Sequence, residues 1–407
     1  MRRIMSRNAA FALCIGALVC VLLVMPGLYD SPYARDEERC VGRITAVDNS
    51  LLHQYGLVKI GSQRLTVLLL DGPCAGREIE AGNDLNGKLE TDKIFEVGDR
   101  AFIVLTTAGD EILSATAYDH HRLNIELLVA GFFALILVGY AGWAGARALL
   151  SFVFAILLMW KVLLPAILLG WDPVYASFGT ITVIGGAVLF LVAGVSRMAL
   201  VAWIGAFLGI LLTATLALAL FPPFRLHGAM QPFSETLLYS GFDGLNLGRL
   251  FIAAVFLGAS GAVIDVAIDV AAAMNEVAVK RPDLSSWELT MSGFRVGRAM
   301  SCTMVTTLLM AYMSGCISLL MVLLSKGIPP LQILNINFIA AEILKTIVGS
   351  FGLVTVAPFT SVVGGFVYAR RRRDVAAVVG APALAMVGED PVAAQSPASM
   401  PDGGLKD

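Results

Sequence analysis

Eight runs of roughly twenty apolar residues recur along this chain, and they restrict its fold more than any other feature. They cover residues 9–27, 125–143, 149–169, 174–194, 200–220, 250–274, 299–324 and 338–369. About twenty apolar residues cross the hydrocarbon core of a bilayer as a helix. Inside lipid the backbone must satisfy its own polar groups, so such runs fold as helices. The last run is long enough for a tilt or a break, and Pro358 marks a kink within it. Composition agrees, with 57% apolar and only 15% charged residues, where a soluble chain carries about 25% charge. The expectation is an α-helical polytopic membrane protein of about eight transmembrane helices.

The first run follows Arg2, Arg3 and Arg7. A charged head before an apolar stretch reads as an uncleaved anchor or as a cleavable signal peptide. Met25-Pro26-Gly27 is a poor small-x-small cleavage site, which favours the anchor. Between the first run and the second the texture changes. Alternating segments at 41–47, 65–70 and 101–105 are separated by Asp71-Gly72-Pro73, Gly82-Asn83-Asp84 and Gly98-Asp99. Period-two patterning with such punctuation predicts strands and turns, and a small all-β domain of the OB-like barrel or sandwich kind fits. The predicted organisation is an anchor over 1–27, a β-rich domain over 28–122, a seven-helix domain over 123–373 and a disordered tail over 374–407.

Short connections carry Lys and Arg unevenly. With the N-terminus inside, Arg147, Arg197, Lys280, Arg281, Arg295, Arg298 and Arg370 to Arg373 join the N-terminal arginines on the cytoplasmic side. Arg225, Arg249 and Lys326 remain outside. The positive-inside bias therefore predicts both ends in the cytoplasm (N-in/C-in) and an extracytoplasmic β domain. That domain holds ten Lys or Arg against sixteen Asp or Glu. Cys40 and Cys74 lie in it, where an oxidising compartment permits a disulfide without requiring one; Cys14, Cys20, Cys302 and Cys316 lie in apolar runs. No Cys/His spacing points to a metal site, no cofactor is implied, and no nucleic-acid partner is expected. Ser285 and Glu288 have capping-box spacing and predict a short amphipathic helix near the membrane surface. No internal repeat is evident, which weakens a secondary-transporter reading.

Charges within membrane helices are costly and face a bundle interior or a water-filled cavity. Asp265 and Asp269, at i and i+4, share one helical face. Two ionised carboxylates this close repel, so they share a proton, bind a cation, or find partners such as neighbouring donors, Arg295 or Arg298. Glu342 and Lys345, at i and i+3, predict an intrahelical ion pair. Lys161 lies deep in its run and could pair with Asp265. Thr303, Thr306, Thr307, Tyr312 and Ser314 make one helix rich in hydroxyls, which line a polar path or bond to neighbours. Gly205-x-x-x-Gly209 and similar small-residue patterns predict close helix packing. Gly258-Ala259-Ser260-Gly261 superficially resembles a serine protease motif, but His53, His120, His121 and His227 all lie outside the runs and a serine nucleophile needs a base. Asp265 and Asp269 share one helix, whereas an aspartyl protease sets two carboxylates face to face. No catalytic residue is assigned, and the chain is not expected to be an enzyme.

The segment from Gly258 through Asp265 to Ala267 resembles the YibE/F family of bacterial multipass membrane proteins. Gly297-Arg298, Thr303 to Tyr312, Glu342 to Leu353 with Pro358, Leu163-Leu164-Pro165 and Asp119 to Arg122 extend the resemblance over about 41–372. The family pattern has an acidic residue where Ala299 stands, often Asn at Thr306, and small hydroxyl residues at Asp269. The resemblance implies an exported β domain followed by seven helices in a bacterial inner (cytoplasmic) membrane, and brings no biochemical activity. The leading expectation is transport of an ion or small solute, with Asp265, Asp269, Glu342, Lys345, Lys161, Thr307 and Tyr312 along the path. The alternative is a non-transporting envelope scaffold or sensor that binds a protein partner through the β domain. Either is compatible with a homo-oligomer.

Overall fold

The computed structural model describes residues 2–29, 37–108 and 111–384, with side chains over 7–29, 37–107 and 112–369. Contacts divide the chain into one unit formed by residues 1–11 and 172–407 and another formed by residues 12–171. Helix α1 (Arg2–Val24) runs from the first into the second.

Within the second unit, strands β1 (Glu37–Tyr55), β2 (Val58–Leu69), β3 (Glu78–Asn86), β4 (Arg100–Ala108) and β5 (Glu111–His120) close a barrel in the order β1-β2-β3-β5-β4. Closure decides between the two expected architectures in favour of the barrel. Leu65, Val67 and Leu69 of β2 and Ala101, Ile103 and Leu105 of β4 point inward at period two, around Ile44, Phe95 and Ala117. Gly82-Asn83-Asp84, expected to turn, instead lies within β3. Asn83 is buried and donates to Gln63 Oε1 at 2.8 Å and to the Lys93 carbonyl at 2.6 Å. Gln63, fully buried, also accepts from the Phe95 amide at 3.0 Å. This polar knot pins the segment between β3 and β4 across the barrel mouth, with Phe95 as its plug. Cys40 and Cys74 are both free thiols; Cys40 is buried in the barrel core and Cys74, half-buried, packs against it.

Helix α2 (Leu123–Leu158) is broken at Gly142 (φ 55°, ψ −130°). Gly145 packs on the Leu137 carbonyl, and the Phe133 and Phe152 rings lie 6.3 Å apart. Nineteen residues of straight helix would separate those rings by about 28 Å, so the chain doubles back at Gly142. The expected break between the second and third apolar runs is therefore a glycine hairpin. A π turn over Met159–Leu163 then leads into α3 (Leu164–Leu168). Pro165 lacks an N–H and would crowd the carbonyl four residues back, and the wider turn accommodates it.

In the first unit, α4 (Pro173–Val192), α5 (Arg197–Leu220), α7 (Leu247–Lys280), α8 (Ser286–Ser314) and α11 (Asn337–Leu384) form a bundle, with the short α6 (Ser234–Tyr239), α9 (Ile317–Ser325) and α10 (Pro330–Leu334) between them. Its core is Val255, Phe256, Val263, Val266, Ala267 and Val270 of α7 against Val348, Leu353, Val356 and Ala357 of α11 and Val201, Ala202 and Ala206 of α5. Small residues allow the close approach that was expected. A Cβ on Gly205 would lie 2.9 Å from Thr360 Cα, one on Gly209 3.0 Å from Val356 Cβ, and one on Gly297 2.5 Å from Ala357 Cβ. The Ser285–Glu288 capping box forms, but it opens the full length of α8 rather than a short surface helix. The run expected as one span over 299–324 bends by 65° between α8 and α9, at a Ser-Gly pair of the kind that kinks helices. Helix α11 continues through Pro358 and on to Leu384, so the predicted tail over 374–407 begins within it; residues 385–407 lie outside the described residues.

Candidate functional site

Arg249 and Lys280 bracket α7 near its two ends. Asp265 is sixteen residues past the first and fifteen before the second, about 24 and 22 Å along the axis. It thus stands at the middle of a helix long enough to span a bilayer, with Asp269 one turn further on. Both carboxylates lie on the exposed side of α7, in line with the exposed Gly258 and Gly261. The opposite side of the helix, from Phe251 to Met274, is the buried core. Neither carboxylate forms an ion pair or accepts a hydrogen bond among the described residues, so Arg295 and Arg298 are not their partners.

Helix α8 runs antiparallel beside α7. Gly258 faces Tyr312, Val270 faces Gly297 and Met274 faces Gly293. This register sets Asp265 at the level of Thr303 and Met304. The hydroxyls of Thr303 and Thr307 donate to carbonyls of their own helix, at 2.9 Å to Met300 and 2.9 Å to Met304. Their oxygens keep free lone pairs, and both residues are exposed. Ser260 donates to the Leu257 carbonyl at 2.7 Å.

About two turns toward the N-terminal end of α7, a second group assembles three of the expected residues. Lys345 Nζ donates to Glu342 Oε1 at 2.7 Å, and both side chains are largely buried. The same ammonium lies 5.3 Å above the Tyr312 ring. Tyr312 Oη is buried without a hydrogen-bond partner, and a Cβ on Gly258 would come within 2.6 Å of it. Glu342 and Thr346 border a cavity of about 220 Å³ with Cys316. The expected ion pair is present, and the structure adds the tyrosine to it. A larger cavity of about 420 Å³ between α8 and α11 is bordered by Arg298, Ser301 and Pro358.

Lys161 belongs to the other unit and donates to the Met25 carbonyl at 3.0 Å. Met25 follows α1, so this bond ties the first helix to the π turn.

One charged contact was not anticipated. Asp172 caps α4, accepting from the Val174 amide at 2.9 Å, and forms an ion pair with Arg249 at the start of α7; the Arg249 guanidinium lies 5.5 Å from the Tyr175 ring centroid. Burial opposes ionisation of Asp172, but hydrogen bonds from Arg249 and the Tyr175 and Val174 amides outweigh it and hold its carboxyl below the usual range. Asp172-Pro173, a cap residue before a proline at the first helical position, was the local signal. The partner, far along the chain, had none.

These features define a class first. Among the described residues, six helices are long and apolar enough to cross a membrane, or seven when the bent pair counts as one span, and ionisable side chains lie within them. This is a multipass membrane protein with a small β-barrel near its N-terminus. A sequence model of the YibE/F-like protein family matches residues 129–370, and the chain belongs to that family. The match begins within α2 and leaves the barrel outside. No curated protein and no solved structure matches the chain.

Proposed function

We propose that the helical unit moves an ion or small solute across a bacterial cytoplasmic membrane, with Asp265 at the midpoint of the path. The carrying observation is the Asp265–Asp269 pair at the centre of α7, on its uncovered face and without a counter-charge among the described residues. Two ionised carboxylates one turn apart in a membrane repel each other, and a proton or bound cation between them relieves the cost. The exposed hydroxyls of Thr303 and Thr307 at nearby levels of α8, and Glu342 beside a cavity, support a polar route. In this reading the chain crosses the membrane eight times with both ends inside: α1, the two arms of the Gly142 hairpin, α4, α5, α7, the bent α8–α9 pair and α11. The barrel lies outside, and the activity is non-enzymatic. The test is charge movement in proteoliposomes challenged with ions, pH steps and small metabolites, comparing wild type with Asp265→Asn. A transient that disappears in the variant supports the reading; equal transients in both remove Asp265 from the path.

A second reading, favoured by the closed barrel, is an envelope scaffold or sensor whose barrel binds a protein partner. Crosslinking from the barrel surface in intact cells would capture one reproducible partner. A flat charge response in both proteins, together with such a partner, would move the assignment to this reading.

A further inference from the structure

Strand β5 ends at His120 and α2 begins at Leu123, so two residues separate the barrel from an apolar membrane helix. This end of the barrel therefore stands at the bilayer boundary. Strand β1 points the same way as β5, because both are antiparallel to β4. Ala101 pairs with His120 on one side and with Gly42 of β1 on the other, and the next pair along is Arg43 with Arg100. From there β1 continues for twelve residues to Tyr55 and returns as β2. Its residues as far as His53 are barrel wall, because His53 pairs with Ile60 and Ile60 with Asn86 at the end of β3; the tip over residues 54–59 thus lies beyond the last β2–β3 pair, on the side where β5 enters the membrane. Gly61 (φ +125°) makes this coil feasible, since a Cβ there would strike the Leu51 carbonyl. Strand β3 also ends beside the hairpin, pairing Asn86 with Ile60.

Exposed apolar side chains gather at this end. Leu57 at the hairpin tip is 87% exposed and Tyr55 68%, with Leu51 beside them and Leu89, Val97 and Tyr118 on the neighbouring loop and strand. They do not belong to the barrel core, whose mouth is already filled by Phe95. The opposite end carries Glu37, Glu38, Glu78 and Glu80 on β1 and β3. A cluster of exposed apolar residues marks an interaction surface, and this one adjoins the point where α2 enters lipid.

We propose that this end of the barrel seats on the lipid surface around α2, with the β1–β2 tip at the boundary between headgroups and acyl chains. Tyr55 and Tyr118 suit that boundary, where an aromatic body meets lipid and its hydroxyl meets water. The contact fixes the barrel at the membrane independently of any transport activity.

The test places a fluorescent noncanonical amino acid at position 57, and separately at the exposed position 113 near the opposite end of the barrel. The full-length protein is reconstituted in phosphatidylcholine–phosphatidylglycerol vesicles whose acyl chains carry bromine. Quenching by brominated lipid at least threefold stronger at 57 than at 113, with iodide in the water quenching 113 more, is expected. Equal lipid quenching at the two positions would overturn the proposal. So would a position 57 shielded from both quenchers, which would show that protein covers the tip.

Discussion

Gly205 of α5 and Thr360 of α11 meet backbone to backbone: a Cβ on the glycine would lie 2.9 Å from Thr360 Cα and closer still to its hydroxyl. Four residues on, Gly209 repeats the contact against Val356, and Gly352 answers from α11 against Thr213. The α5–α11 seam is therefore set by the absence of side chains. Gly205→Ala is expected to lower stability by about 1–3 kcal/mol through overpacking. Gly261 has open space at its Cβ, so Gly261→Ala should be neutral or slightly stabilising. Thermal unfolding of the two variants in one detergent compares them directly.

The Glu342–Lys345 pair is largely buried, so removing one member leaves an uncompensated charge. Lys345→Met is expected to cost about 3–5 kcal/mol. The double substitution Glu342→Leu with Lys345→Met should recover most of that loss. A double variant as unstable as the single one would show that the charges are not coupled in this way.

Asp172 joins the N-terminus of α4 to Arg249 of α7. Its folded-state carboxyl lies below the ordinary value of 3.8, so its ionised form contributes stability above that value. The contribution is lost as pH falls through the lower folded-state value. Asp172→Asn should therefore unfold more readily than wild type at pH 7, by about 1 kcal/mol through weakened capping and ion pairing. The gap should narrow below about pH 4. Unfolding followed from pH 7 to pH 3 for both proteins tests the sign.

Gln63 holds three segments of the barrel together at zero exposure. Gln63→Leu strands the Phe95 amide and one Asn83 bond, and is expected to destabilise the barrel by about 2–3 kcal/mol. Hydrogen exchange should speed up first across residues 87–99. Unchanged exchange there would deny the side chain its role in closing the barrel mouth.

Burial and the neighbouring carboxylate of Asp71 push the Cys40 thiol up to about 11, and the thiolate is the reactive form. In the reduced native protein Cys40 should resist alkylation at pH 7 and react once the barrel unfolds. Rapid native labelling would show that the barrel opens at β1.

Much of the architecture was legible because it depends on local composition. Long apolar runs must become helices in lipid whatever surrounds them, and period-two segments such as 65–70 and 101–105 must present one face. Strand β3 escaped because Gly82-Asn83-Asp84 carries turn residues; their inward hydrogen bonds to Gln63 exist only once β2 is alongside. The reversal between the second and third runs was visible, with Arg147 in the connection, yet its pivot at Gly142 was not, since a glycine permits many conformations. The Glu342–Lys345 pair was legible at spacing three. Its third member, Tyr312, comes from another helix.

The amino-acid order by itself determined a membrane protein with a β-rich insert, because apolar length and alternation act through the solvent and need no partner. It also placed Asp265 and Asp269 on one face of one helix, through the 3.6-residue period. Only the tertiary structure decided which way that face turns. The helix buries its larger apolar side against α5 and α11, and the carboxylates are left on the uncovered side. Barrel closure, the α5–α11 glycine seam and the Asp172–Arg249 tie were settled the same way, by contacts between residues far apart in the chain.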